Sequence, residues 1–248
     1  MRKQSVILLL SFVLTLFGFS ISFEDYVFYN DFDTGFEVAD ILDKNVLLIF
    51  TSSSCPYCSQ LKDVIASENV MNFLINNYIL IEIRADEDKT AHFDVENARF
   101  DKDGKAFSYG ELFSLFGVRG VPASHFFNRK QEYLGGLPGY LPKQDFLNWL
   151  KFVETESYKE MEIKDFEMDA NYNGTLQVKA IQDTDLSKLE NYLPELLTYY
   201  TYNKFKEMNL ITTNPFKYYI IREAKVKDVQ KYLENLDKKL IYSVYVLE

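Results

Sequence analysis

What this sequence is short of narrows it before anything it contains. Only two cysteines occur in 248 residues, so no third thiol is present to bridge to either of them. A secreted chain stapled by disulfides spreads its cysteines across the fold. Here both fall in Cys55-Pro56-Tyr57-Cys58, too close together to close a useful loop, and stabilisation by a crosslink grows with loop length. Histidine is equally scarce. His92 and His125 stand alone and no second C-x-x-C exists, which leaves zinc short of four ligands; no metal and no cofactor are expected. Basic residues are outnumbered 27 to 37 by acidic ones and form no patch, which speaks against nucleic acid as a partner. No internal repeat is evident, and beyond residue 22 no stretch is long and apolar enough to span a bilayer. What is present suits a packed core: 47% of residues are hydrophobic and 16% aromatic, unlike a disordered chain.

The first residues read as a targeting segment. Arg2 and Lys3 form a positive start, residues 6–19 are apolar, and Ser20 and Ser22 supply the small-x-small pattern of a cleavage site. A signal peptide over 1–22, cleaved after Ser22, is therefore expected. Residues 5–22 also come close to the minimum for an uncleaved anchor. Either way the remainder is expected in an extracytoplasmic compartment, periplasmic or secreted.

Periodicity predicts a helix over 33–43 and a strand over 46–50, the latter a continuous apolar run buried on both faces. Thr51-Ser52-Ser53-Ser54 ends that strand, and Pro56 suits the first turn of a helix carrying Leu61, Val64 and Ile65 at helical spacing. A helix over 69–77 and a strand over 78–83 follow. The polar stretch 85–107 reads as an inserted loop. Then come a helix over 109–116 ending at Gly117, a strand over 123–127, a turn at Asn128-Arg129-Lys130 with a return strand, and a helix over 142–153. The class is α/β with antiparallel edge strands. After residue 154 the character changes: 155–167 is charge-rich, and 11 of the 18 tyrosines lie beyond residue 157. Residues 155–248 are expected to form a smaller α+β domain, with strands over 175–181, 216–221 and 240–247, a long helix over 186–207 and another over 226–236.

The cysteine pair carries the chemistry. A thiol attacks a disulfide only as thiolate, and a helix N-terminus favours the thiolate through its unpaired N–H groups and dipole. Cys55 holds that position and is the expected nucleophile. Cys58, one turn in and more buried, is the expected resolving thiol. Pro56 withholds a donor and Tyr57 adds bulk; both tune the pair and are expected to meet the substrate.

With these motifs in view, residues 33–153 resemble a thioredoxin-fold protein and are similar to the SoxW-like, thioredoxin-related extracytoplasmic group. The likeness rests on the apolar strand running into Ser54-Cys55-Pro56-Tyr57-Cys58, on Gly117-Val118-Arg119-Gly120-Val121-Pro122-Ala123, and on Gly139-Tyr140-Leu141-Pro142. It implies a thioredoxin-like mixed sheet flanked by helices over 23–154, and a thiol–disulfide oxidoreductase acting as a reductase. It implies a cis Pro122 lying against the redox pair, and a Val121 backbone that binds an extended substrate segment by strand addition. The implied partners are protein thiols and disulfides together with a membrane-bound or periplasmic redox partner. Several positions depart from the pattern. Ser54 stands where thioredoxin has Trp, and Ile49 where it has a buried Asp assisting proton movement at the second cysteine, a task left here to another group or to water. Glutaredoxins share CPYC, but Gly135-Gly136 is followed by Leu137-Pro138-Gly139 and lacks their glutathione signature. Arg119-Gly120-Val121-Pro122 resembles the DsbA-type oxidants, whose helical insertion 85–107 is too short to supply. A disulfide oxidant or isomerase, or a binding or chaperone module with a secondary redox site, stays open beside the reductase. The stretch around Tyr192-Leu193-Pro194 weakly resembles GyrI-type effector-binding domains, from which no residue role follows; Tyr199, Tyr200 and Tyr202 read as core and interface.

Overall fold

A computed structural model describes residues 28–29, 31–167, 172, 178–208, 217–236 and 243–248; the expected targeting segment 1–22 lies outside them. Strand β1 (Phe28–Tyr29) precedes helix α1 (Phe32–Leu42), whose first turn is capped by the Asp31 carboxylate accepting from the Thr34 N–H at 2.9 Å. Next come β2 (Asn45–Thr51), α2 (Pro56–Ala66), α3 (Glu68–Asn77) and β3 (Tyr78–Arg84). Three short strands follow, β4 (Thr90–Asp94), β5 (Arg99–Phe100) and β6 (Lys105–Ser108), before α4 (Tyr109–Leu115), β7 (Ala123–Phe127), β8 (Tyr133–Pro138) and α5 (Lys143–Glu154).

β2 lies at the centre of a five-stranded sheet of order β1-β3-β2-β7-β8, parallel to β3 and antiparallel to β7. Every residue of β2 is buried, as a central strand with helices on both faces requires. Strand alternation divides it: Leu47 and Ile49 join the cluster of Leu61, Ile65, Phe73 and Leu150 beneath α2, α3 and α5. Val46, Leu48 and Phe50 join Phe36, Ala39 and Leu112 beneath α1 and α4. This is the expected thioredoxin-like mixed sheet flanked by helices.

The expected loop over 85–107 is corrected. β4, β5 and β6 form an antiparallel sheet of order β5-β4-β6. Ala91, Phe93 and Phe107 face inward between polar neighbours, and Phe93 and Phe100 pack on Phe32. The hydrophobic content is low because each strand is short and shows one polar face to water.

The helix expected over 186–207 is also corrected. It divides into α6 (Asp183–Tyr192), a strand β10 (Leu197–Thr201) and a short α7 (Tyr202–Glu207), after a strand β9 (Lys179–Ile181). Pro194 cannot continue a helix, and Leu-Thr-Tyr-Tyr-Thr is strand-forming. With β11 (Tyr218–Arg222), α8 (Val226–Glu234) and β12 (Ser243–Leu247), the strands pair throughout in parallel, in the order β10-β11-β12-β9. The α+β expectation for 155–248 is thereby sharpened to a parallel α/β arrangement; 175–177, 216 and 240–242 of the expected strands lie outside the described residues.

The two halves share apolar packing. Leu186 and Leu189 from α6 and Leu193 just after it, with Ile220 and Tyr245, belong to the same buried cluster as Phe36, Ala39 and Leu42 from α1. Tyr192 donates to the Glu37 carboxylate, Lys179 pairs with Asp43 at 2.9 Å, and the Tyr245 hydroxyl donates to the Leu42 carbonyl at 3.3 Å.

Candidate active site

The cysteine motif is built by the transition from β2 to α2. Thr51 closes the strand, and Cys55 becomes the N-cap of α2 with extended backbone (φ −96°, ψ 109°), followed by Pro56 at the first helical position. The Cys58 N–H points at the Cys55 Sγ at 3.0 Å. Cys55 and Cys58 are joined as a disulfide with their Cα atoms 5.3 Å apart, within the usual span for such a bond. Cys58 is 3% exposed and Cys55 half-buried, while Pro56 is exposed and Tyr57 projects into solvent at 60%. The motif therefore presents one sulfur and two flanking side chains outward and keeps the second sulfur inside.

The second motif meets the first in space. α4 ends in a left-handed Gly117 (φ 66°). The Gly117 N–H donates to Ser114 and the Val118 N–H to Phe113, at 3.2 and 2.7 Å, a Schellman closure that needs a residue free to take positive φ. The chain then reaches Val121, whose carbonyl oxygen lies 3.4 Å from the Cys55 Sγ. The Val121–Pro122 peptide bond is cis, and Pro122 is buried. The third motif is tied on behind it: the Gly139 N–H donates to the Pro122 carbonyl at 2.7 Å, and Pro142 caps α5. Cys55, Cys58, Val121 and Pro122 are thus assembled at one place, with Pro56 and Tyr57 on its outer surface.

Ile49 is buried in β2, and its partner on β3 is Glu82. The carboxylate of Glu82 accepts from the Thr51 hydroxyl at 2.5 Å and pairs with Lys62 at 2.9 Å. Periodicity alone does not single out these residues. Their signal was there: one acid inside the otherwise apolar run Tyr78-Ile79-Leu80-Ile81-Glu82-Ile83.

Neither histidine is free for the cysteines. His92 is bound to Asp33 through Nδ1 at 2.5 Å. His125 lies on β7 with its ring against Phe50, Phe116 and Tyr133, on the sheet face opposite α2. No group of three His, Cys, Asp or Glu side chains placed to hold a metal occurs among the described residues. Burial pushes the His125 imidazole down to about 4, and Nδ1 is hydrogen-bonded to the Tyr133 hydroxyl at 2.9 Å. In the unfolded chain the same group titrates near 6.5. Between those pH values the unfolded state binds more protons, so stability falls as pH drops from 6.5 to 4, by on the order of 3 kcal/mol. Denaturant unfolding across that range should show this slope in the native sequence and its loss in His125→Phe; parallel slopes would refute the assignment.

Residues 32–154 match the model of the thioredoxin-like domain family, and no curated protein sequence matches the chain. Similar solved structures include a thioredoxin-fold protein from Helicobacter pylori, at 20% identity over 50% of this chain and 83% of that one, TM-score 0.42. A thioredoxin from Thermus thermophilus is 21% identical over 58% of this chain and 98% of its own, TM-score 0.42. A DsbH oxidoreductase is 16% identical over 52% and 85%, TM-score 0.37. Likenesses of this strength carry nothing about substrate or direction. Residues 32–154 of this chain are a thioredoxin-like domain, and the cysteine pair at disulfide distance within it supports thiol–disulfide oxidoreductase chemistry in general.

Proposed function

We propose that this chain is an extracytoplasmic thiol–disulfide oxidoreductase of the SoxW-like kind that reduces disulfides in protein substrates. The observation that carries the reading is the Cys55–Cys58 pair at the N-terminus of α2, with the Val121 carbonyl 3.4 Å from the outward sulfur. Cys55 attacks, Cys58 resolves, and the Val121 backbone beside Pro122 binds the extended substrate segment, flanked by Pro56 and Tyr57. A membrane-bound or periplasmic redox partner restores the dithiol. The targeting pattern of residues 1–22 supports the location. Residues 23–154 are the redox unit, and 155–248 an accessory unit packed on α1.

The reduction potential of the pair decides direction. A value near about −270 mV, that of thioredoxin, supports the reductase; one near about −120 mV makes the protein an oxidant. A second measurement tests the assignment of roles. Alkylation of the reduced protein should modify Cys55 well below the pH of a free thiol, about 8.5, and leave Cys58 protected. Equal reactivity of the two thiols near that pH would contradict the part given to the helix terminus.

A further inference from the structure

The C-terminal sheet ends on one side in β10, and its hydrogen bonds show which way that strand's backbone faces. Leu197 pairs with Tyr218 in parallel register, and the Tyr218 N–H donates to the Leu196 carbonyl at 2.9 Å. In a parallel ladder, alternate residues bond to the neighbouring strand. Leu196, Thr198 and Tyr200 therefore turn toward β11. The N–H and C=O groups of Leu197 and Tyr199 and the N–H of Thr201 turn to the open side. Among the described residues no strand lies beyond β10, and no hydrogen bond reaches these groups. Such an edge is a template for another chain, and proteins blunt it with lysine, proline, bulges or brevity. The other edges of the two larger sheets carry those devices. β8 has a register shift at Phe126–Phe127 and ends in Pro138, and its Tyr133 N–H is taken by the Ala98 carbonyl at 2.9 Å. β9 is three residues long and carries Lys179, and β1 is two residues long. β10 has none of them. Its five residues pair with β11 without a shift, in a stretch from 196 to 203 that holds no charged residue.

We propose that two copies of this chain join along β10, antiparallel about a two-fold axis at Tyr199, so that two four-stranded sheets run on as one. The edge is complementary to itself. With Tyr199 opposite Tyr199 of the second copy, the two exchange both of their outward hydrogen bonds. The Thr201 N–H meets the Leu197 carbonyl of the second copy, and the reverse, and Thr198 falls opposite Tyr200. Aromatic and β-branched cross-strand pairs are favourable, whereas like charges directly opposite are not. The chain's net charge is −10, so two copies repel unless the meeting surface is uncharged or balanced. β10 is uncharged, and its flank is balanced. Arg222 lies 4.9 Å from the centre of the Tyr199 ring, and the Tyr199 hydroxyl donates to the Glu190 carboxylate, which sets one cation and one anion around each tyrosine. A two-fold join closes on itself and leaves no β10 edge free for a third copy. None of the redox residues lies in 197–201, so the join stands or falls independently of the oxidoreductase reading.

Analytical ultracentrifugation of the full chain over a range of concentrations should find a reversible dimer. Tyr199→Lys sets two like charges opposite each other at the axis and should raise the dimer dissociation constant by about tenfold. Tyr199→Glu should do the same. An equimolar mixture of the two variants should dimerise again at close to native strength, a recovery that unfolding cannot produce. Reduction of a small disulfide should proceed at the native rate in both. A native chain that stays monomeric at every concentration overturns the proposal, whether or not it takes up an extended peptide. So does a dimer that neither substitution weakens, since that dimer is joined elsewhere, and so does a mixture that stays monomeric. Should the variants fail to fold, hydrogen exchange of the native chain decides. The Tyr199 amide should exchange slowly in concentrated protein and about tenfold or more faster on dilution; a rate independent of concentration overturns the proposal.

Discussion

Cys58→Ala is expected to convert a transient mixed disulfide into a stable product, and Cys55→Ala to stop turnover altogether. The asymmetry follows from where α2 puts the two sulfurs. Cys55 is half-buried at the helix N-terminus beside the Val121 carbonyl, and Cys58 is 3% exposed one turn further in. A substrate disulfide therefore reaches Cys55 first. Loss of that thiol should reduce the rate of disulfide reduction by about a thousandfold or more, the scale on which removing a nucleophile acts. The substitution also removes the sulfur that accepts from the Cys58 N–H at 3.0 Å. A lost helix cap costs about 1 kcal/mol, too little to account for lost activity through unfolding. Cys58→Ala should attack at close to the native rate and then stall. Intact-protein mass spectrometry should find near-stoichiometric adducts on Cys55, released by added thiol. If instead Cys55→Ala accumulates adducts and Cys58→Ala turns over, the roles are reversed and the exposure-based assignment is wrong.

How much of this was legible beforehand depends on the range of the interactions involved. β2 could be read because all of it is buried, leaving a continuous apolar run. The start of α2 could be read because Pro56 and the cysteine cap act within one turn, and the end of α4 because Gly117 takes a positive φ. The approach of Val121 to Cys55 spans 66 residues. Nothing in local periodicity encodes it, and it entered only through resemblance to a family. The Thr51–Glu82 bond is hidden for the same reason: the two residues are 31 positions apart, and a single acid among isoleucines reads as an interruption of the strand. The sheet of β4, β5 and β6 was hidden by polar outward faces on strands of two to five residues. In 186–207 the leucines of α6 suggested helical spacing running on through Pro194, but the backbone beyond that proline obeys the strand preference of Thr198-Tyr199-Tyr200. The charge-rich stretch 155–167 signalled a boundary, yet it gave no sign that α6 would share a cluster with α1.

That shared packing carries the largest stability effect expected here, centred on Lys44. Its ammonium group is buried, donating to the Ile75 carbonyl at 2.7 Å and the Ser243 hydroxyl at 3.0 Å. It also lies 4.9 Å from the centre of the Tyr218 ring. The adjacent carboxylate, Asp43, is taken up by Lys179. Burial, with the positive charge of Lys179 adding to it, lowers the Lys44 amine from 10.5 to about 7. From pH 7 to 10.5 the unfolded chain thus binds more protons than the folded one, and stability rises with pH through that window. Below pH 7 both states are protonated and the full cost of the buried charge applies, on the order of 5 kcal/mol. Lys44→Met keeps most of the stem and removes the charge. It leaves the Ile75 carbonyl without its main donor, which costs about 1–3 kcal/mol, partly met by Ser243, whose hydroxyl is 3.5 Å away. The desolvation cost is the larger of the two. The variant should be more stable than the native chain by about 2–4 kcal/mol below pH 7, with the advantage shrinking as pH rises toward 10. Urea unfolding at several pH values checks this; parallel stability profiles for the two proteins would rule it out. Ile75 belongs to α3 of the redox unit, whereas Ser243 and Tyr218 belong to β12 and β11 of the C-terminal sheet. A charge titrating near neutral pH therefore sits in the contact between the halves, and the packing of one on the other should tighten as that charge is lost.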